Sequence, residues 1–84
     1  MANVVMYSTR WCPFCVRAKS LLAKKGASVT DIDVGAEPQR RAEMMQRGGG
    51  HTVPQIWIGE HYVGGCDELY LLERQARLDA LLAE

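Results

Sequence analysis

Residues 3–26 read NVVMYSTRWCPFCVRAKSLLAKKG, and this stretch decides the architecture. Asn3 to Ser8, with Val4, Val5, Met6 and Tyr7 at its centre, is a short, apolar, β-prone run of the kind a sheet buries on both faces. Thr9-Arg10-Trp11 reads as a loop. Pro13 fits the first turn of a helix, where a missing N–H costs nothing, and Phe14, Ala18, Leu21 and Leu22 recur at helical spacing until Gly26 stops the run. Cys12 and Cys15 therefore open a helix directly after a strand.

Further along, Val29 to Val34 alternates as a second strand, with Thr30, Ile32 and Val34 on one face and Asp31 and Asp33 on the other. Strand, helix and strand imply a right-handed crossover. Pro38 begins a second helix that runs to about Gln46, with Arg40, Arg41 and Arg47 as its basic positions, and Gly48-Gly49-Gly50 ends it in a flexible loop. Gln55 to Ile58 and His61 to Val63 are short strands separated by Gly59-Glu60, a hairpin signal, with Gly64-Gly65 immediately after. Asp67 is placed to cap the last helical region. The stripe of Leu69, Leu72, Leu78, Leu81 and Leu82 allows two helices with a break near Gln75 to Arg77. The order βαβ, helix, ββ, helix predicts an α/β protein: a four-stranded mixed sheet flanked by helices on both faces. No repeat, linker or low-complexity segment interrupts residues 1–84, so a single domain is expected.

Composition agrees with this and excludes other classes. The 84 residues are 48% apolar, 24% charged and 7% aromatic, and ten Lys and Arg balance ten Asp and Glu. So short a chain buries only about 60% of the surface its unfolded form exposes, which leaves no room for a second core. A zero formal charge supplies no field to attract nucleic acid or an anionic membrane, so neither is an expected partner. Met1 to Tyr7 lacks the basic flank and long apolar stretch of a secretory signal, and no later run approaches membrane-spanning length. A cytoplasmic location follows as the expectation.

Three cysteines, at 12, 15 and 66, suit a metal site or a redox pair in a reducing compartment better than a secreted disulfide scaffold. A Cys-x-x-Cys pair is separated by one helical turn, close enough to form a disulfide. Its first sulfur lies beside the unpaired N–H groups of the helix start, whose dipoles favour a thiolate, and Arg10 adds to this. The competing reading is half of a zinc site, which needs four ligands. Cys66 with His51 or His61 would complete the set on paper, but there is no second close-spaced pair, and Pro13 at a helix start is the context of a redox dithiol. Redox chemistry ranks well above a metal site.

Cys12-Pro13-Phe14-Cys15 after an N-terminal strand, Thr52-Val53-Pro54, and Gly64-Gly65-Cys66-Asp67 before the last helix together resemble a dithiol glutaredoxin, over essentially the whole chain. The pattern is most similar to the bacterial glutaredoxin 3 type, from Met1-Ala2-Asn3-Val4 through Thr52-Val53-Pro54-Gln55-Ile56 to Gly65-Cys66-Asp67-Glu68-Leu69-Tyr70. The resemblance implies a thioredoxin-like fold and a glutathione-dependent thiol-disulfide oxidoreductase with glutathione as cosubstrate and no tightly bound cofactor. It implies Cys12 as nucleophile and Cys15 as resolving thiol, acting on glutathionylated or disulfide-containing proteins, with ribonucleotide reductase among the recipients it offers, and acting as a monomer. Pro54 matches the family's cis-proline, and the Val53 backbone pairs in strand fashion with the cysteinyl part of glutathione, with Thr52 beside it. Gly65, Cys66 and Asp67 match the segment that receives the glutamyl end. Arg41 matches one basic residue for the glycyl carboxylate. The other falls at Thr9, a departure, with neighbouring Arg10 in reach of the same place.

Each assignment has a plainer reading. Asp67 alone is an N-cap worth about 1 kcal/mol, Arg41 alone a solvated surface charge. Phe14 between the cysteines borders the cleft, Trp11 packs or lines its rim, Trp57 is structural, and Cys66 is an oxidisable bystander near the binding loop. His51 and His61 carry no catalysis, since an activated thiolate needs no general base. Two other functions stay in view: an iron–sulfur cluster or metal carrier using Cys12 with external glutathione, which Pro13 and Cys15 disfavour, and a thioredoxin-like dithiol recycled by a flavoenzyme, which the Gly64 to Asp67 segment disfavours.

Overall fold

The computed structural model describes residues 2–84; Met1, the start of the Met1-Ala2-Asn3-Val4 match, lies outside them. The apolar run forms β1 (Val4–Ser8), followed by α1 (Pro13–Lys24), β2 (Val29–Asp33) and α2 (Gln39–Gln46). The second half adds β3 (Gln55–Ile58), β4 (His61–Gly64), α3 (Cys66–Arg74) and α4 (Leu78–Ala83). The sheet runs in the order β2-β1-β3-β4, with β1 parallel to β2 and antiparallel to β3, and β3 antiparallel to β4. The two central strands are the two with nearly unbroken burial, and the edge strands carry the exposed polar positions, Thr30 and Asp31 on β2 and His61 and Tyr62 on β4. This is the mixed sheet expected from the sequence.

Alternation along β1 divides the core between the two faces. Val4 and Met6 pack with Ala18, Leu21 and Leu22 of α1, Ile56 and Ile58 of β3, and Leu69, Leu78 and Leu82 of the C-terminal helices. Tyr7 faces the other way, onto Ile32, Val34, Trp57 and Met44 of α2. Helices thus cover both faces, three on one and α2 alone on the other. Leu69 is fully buried where α3 meets the sheet. Leu69→Ala should cost about 3 kcal/mol through lost transfer energy and a cavity, lowering the melting midpoint by roughly 15 °C in a chain of this size. A loss under 1 kcal/mol in a urea titration would contradict that placement.

One local detail differs from expectation, the cap of α3. The residue before α3 with extended backbone is Gly65, so Asp67 sits inside the first turn and is not the cap. Glu68 fills the capping role instead: its Oε1 accepts the Gly65 N–H at 2.7 Å. The expected break in the leucine stripe lies where Ala76 takes φ 58° between α3 and α4. Arg77 N–H then closes onto the Leu72 carbonyl at 2.9 Å, which lets α4 fold back toward the core.

Candidate active site

Cys12 is the residue at which the chain passes from extended loop to helix. Its Sγ accepts the Cys15 N–H at 3.1 Å, its carbonyl accepts the Val16 N–H at 3.1 Å, and its thiol points at the Val53 carbonyl 3.8 Å away. The sulfur therefore takes the place of the oxygen that normally caps a helix, and Pro13 behind it uses up a position where an N–H would have gone unsatisfied. A negative sulfur here receives a charge-assisted hydrogen bond from an amide already aligned with the helix axis.

The two thiols are not equivalent. Both are free, but Cys12 is half-buried while Cys15 is 1% exposed beneath the helix start. Burial, and next the hydrogen bond with Cys12, push the Cys15 thiol up to about 12, outweighing the opposing influence of the Thr9 backbone and of Lys19. Near neutral pH Cys15 therefore keeps its proton. Burial raises the Cys66 thiol as well. Iodoacetamide at pH 7 should therefore label Cys12 to completion in the native protein before Cys15 or Cys66 reacts, as read by peptide mass mapping. Labelling of Cys15 at a comparable rate would overturn this asymmetry.

Beside the dithiol runs an open groove of about 160 Å³, lined by Phe14, by Thr52, Val53 and Pro54, and by Gly65, Cys66, Asp67 and Glu68. The Val53–Pro54 peptide bond is cis, as the sequence led us to expect. Val53 precedes β3 and lies outside the β1–β3 register, which begins at Gln55. The walls approach closely at Gly65, where an added Cβ would lie 3.3 Å from the Pro54 carbonyl oxygen. The first turn of α3, with Asp67 and Glu68 in it, also lines the groove, and a helix start is where backbone N–H groups favour an anion.

The groove thus gathers Phe14, Thr52, Val53, Pro54, Gly65, Cys66 and Asp67. Arg41 is not among the lining residues; its Nη1 donates to the carbonyl of His51, the residue before Thr52, at 2.6 Å. Nor is Arg10. Its guanidinium lies over the Trp11 ring, 5.7 Å from the centroid, in a depression shared with Thr9, Asp33, Gly35 and Ala36. The ring is 88% exposed and offers it a cation–π contact, and the two side chains also line a depression with Cys12, Pro13 and Val16. Phe14 is half-exposed at the cleft and Trp57 is buried in the sheet, as read from the sequence. Glu68 was missed as a groove residue; the signal was available in its position three residues after Gly65, the spacing of a capping box. Among the described residues no three His, Cys, Asp or Glu side chains converge to hold a metal ion, and no helix is long and apolar enough to cross a membrane.

The glutaredoxin family model matches residues 4–63. The chain is 54% identical over 83 residues to a glutaredoxin of Pseudomonas aeruginosa, with 99% of each chain covered. It is 46% identical over 82 residues to glutaredoxin 3 of Escherichia coli, covering 98% of this chain and 99% of that one. The crystal structure of a buckwheat glutaredoxin–glutathione complex superposes with a TM-score of 0.89 at 30% identity, covering 98% of this chain and 77% of that one.

Proposed function

We propose, on the premise that the chain belongs to the glutaredoxin family of glutathione-dependent oxidoreductases, that it reduces protein–glutathione mixed disulfides and protein or small-molecule disulfides through Cys12 and Cys15. The observation that carries this reading is the placement of the Cys12 sulfur: capped by the Cys15 N–H, and facing a groove whose near wall is the Val53 backbone. The groove is open and extended, which suits a tripeptide laid along an unpaired strand edge. Val53 offers backbone to the cysteinyl part, and the α3 start with Asp67 receives the carboxylate and ammonium of the glutamyl end. Arg41 and the Thr52 hydroxyl flank the glycyl end.

With a glutathionylated protein, the Cys12 thiolate attacks the glutathione sulfur. A Cys12–glutathione disulfide forms, the original S–S bond breaks, and the protein leaves as a thiolate that takes up a proton. A second glutathione thiolate attacks the glutathione sulfur of that mixed disulfide, so that glutathione disulfide leaves and the Cys12 thiolate returns. With a protein disulfide, Cys12 attacks one of its sulfurs and becomes linked to the client. Cys15 then loses its proton to solvent and attacks the Cys12 sulfur, expelling the second client thiolate and leaving the Cys12–Cys15 disulfide, which two glutathiones reduce.

The thiol asymmetry orders these steps. While Cys12 is a free thiol or thiolate, its hydrogen bond and charge both hold the Cys15 proton in place. Burial still opposes ionisation once Cys12 is in a disulfide, but the hydrogen bond and charge of Cys12 no longer do, while the Thr9 backbone and Lys19 continue to favour it. Cys15 thus gives up its proton more easily when there is a disulfide for it to attack. The reading is tested by coupling glutathione oxidation to reduction of a glutathionylated peptide. Turnover that saturates in both substrates is the expected result; no turnover above the uncatalysed exchange would defeat it.

A further inference from the structure

The segment that forms the near wall of the groove is held from behind by a buried amide that never touches the groove. Gln55 opens β3, in a strand otherwise composed of Ile56, Trp57 and Ile58, and is only 5% exposed. A buried amide is costly unless its hydrogen bonds are made, and these are. Its Nε2 donates to the Thr52 carbonyl at 3.0 Å and lies 3.2 Å from the Thr52 Oγ1, while its Oε1 accepts the Tyr62 hydroxyl at 2.5 Å. With the oxygen end taken by Tyr62, the NH₂ end faces Thr52.

Tyr62 is itself fixed. Its ring packs on Trp57 at 4.9 Å between centroids, and Trp57 meets Tyr7 edge-on at 5.5 Å beneath the Arg47 guanidinium, 4.6 Å from its ring. The loop also crowds this support: a Cβ on Gly49 would lie 2.9 Å from the far edge of Trp57 and 3.4 Å from the Gln55 side chain. The rigid sheet is thus coupled, through Tyr62 and Gln55, to the one residue preceding the Val53 backbone.

We propose that Gln55, oriented by the Tyr62 hydroxyl, is the positioning residue for the Thr52–Pro54 wall and thereby sets how tightly the groove holds the glutathione moiety. This rests on the reading of the groove given above. Because the wall makes the same contacts with bound substrate and with the transition state, its misplacement raises KM and leaves kcat.

The test is steady-state reduction of a glutathionylated peptide by wild type, Gln55→Leu, Tyr62→Phe and the double variant. Gln55→Leu keeps the volume and removes all three hydrogen bonds; KM should rise about 10-fold with kcat within about twofold. Tyr62→Phe, at a partly exposed position, removes one oxygen and should raise KM about threefold. In the double variant Tyr62→Phe should add nothing, because its effect runs through Gln55. Additive effects, an unchanged KM, or a fall in kcat at unchanged KM would each overturn the proposal. If Gln55→Leu does not fold, Tyr62→Phe decides alone, by the same rise in KM. Wild type without turnover would defeat the groove reading, whereas active wild type with variants indistinguishable from it defeats only the positioning role.

Discussion

Cys12→Ser is expected to abolish glutathione-coupled turnover on every substrate, by about 10³-fold or more, because a thiolate is the only attacking group the cycle supplies and a serine hydroxyl is not ionised near neutral pH. The substitution leaves the fold in place. Serine is a good helix N-cap, so the Cys15 N–H keeps an acceptor where it now has the Cys12 sulfur. Urea titration should therefore show stability within about 1 kcal/mol of wild type while activity is gone. Residual turnover above a tenth of wild type would mean that another thiol carries the first attack, and the burial of Cys15 and Cys66 leaves neither one accessible for it.

Cys15→Ser is expected to split the two activities. Reduction of a glutathionylated peptide should persist within about threefold, since that route passes only through Cys12 and external glutathione. Reduction of a protein disulfide should fall by about 10²-fold or more and stop at a Cys12–client mixed disulfide, visible as a covalent adduct on a non-reducing gel. The physical basis is the burial that holds the Cys15 proton at neutral pH: the residue takes no part in the opening attack, so its removal is not felt there. Equal loss of both activities would show that Cys15 supports the reactivity of Cys12 and is not its resolving partner. A client released at the normal rate would show that external glutathione resolves the mixed disulfide unaided.

Most of the architecture is legible because it is written in short-range pattern. The Val4 to Tyr7 run, Pro13 after Cys12, the glycines at 48 to 50 and the Gly59-Glu60 turn each specify an element through local sterics and periodicity, and the observed elements follow them closely. The capping of α3 was read one step wrong for the same reason: an aspartate near a helix start is a common cap, but the glutamate three residues past Gly65 makes the observed contact. The placement of Arg10 over the Trp11 ring was not legible in the sequence. A flexible cation takes whichever partners the fold brings near it, here an exposed indole.

By itself the sequence determined the strand and helix order, the dithiol at a helix start, and the three loop motifs that mark the groove, because each depends on residues within a few positions of one another. Tertiary structure alone decided which of the two thiols is reachable, where Arg10 and Arg41 point, and that Gln55 and Tyr62 support Thr52. Those outcomes depend on how strands and helices distant along the chain pack, and packing sets both the solvent exposure that governs thiol ionisation and the partners left for a buried amide.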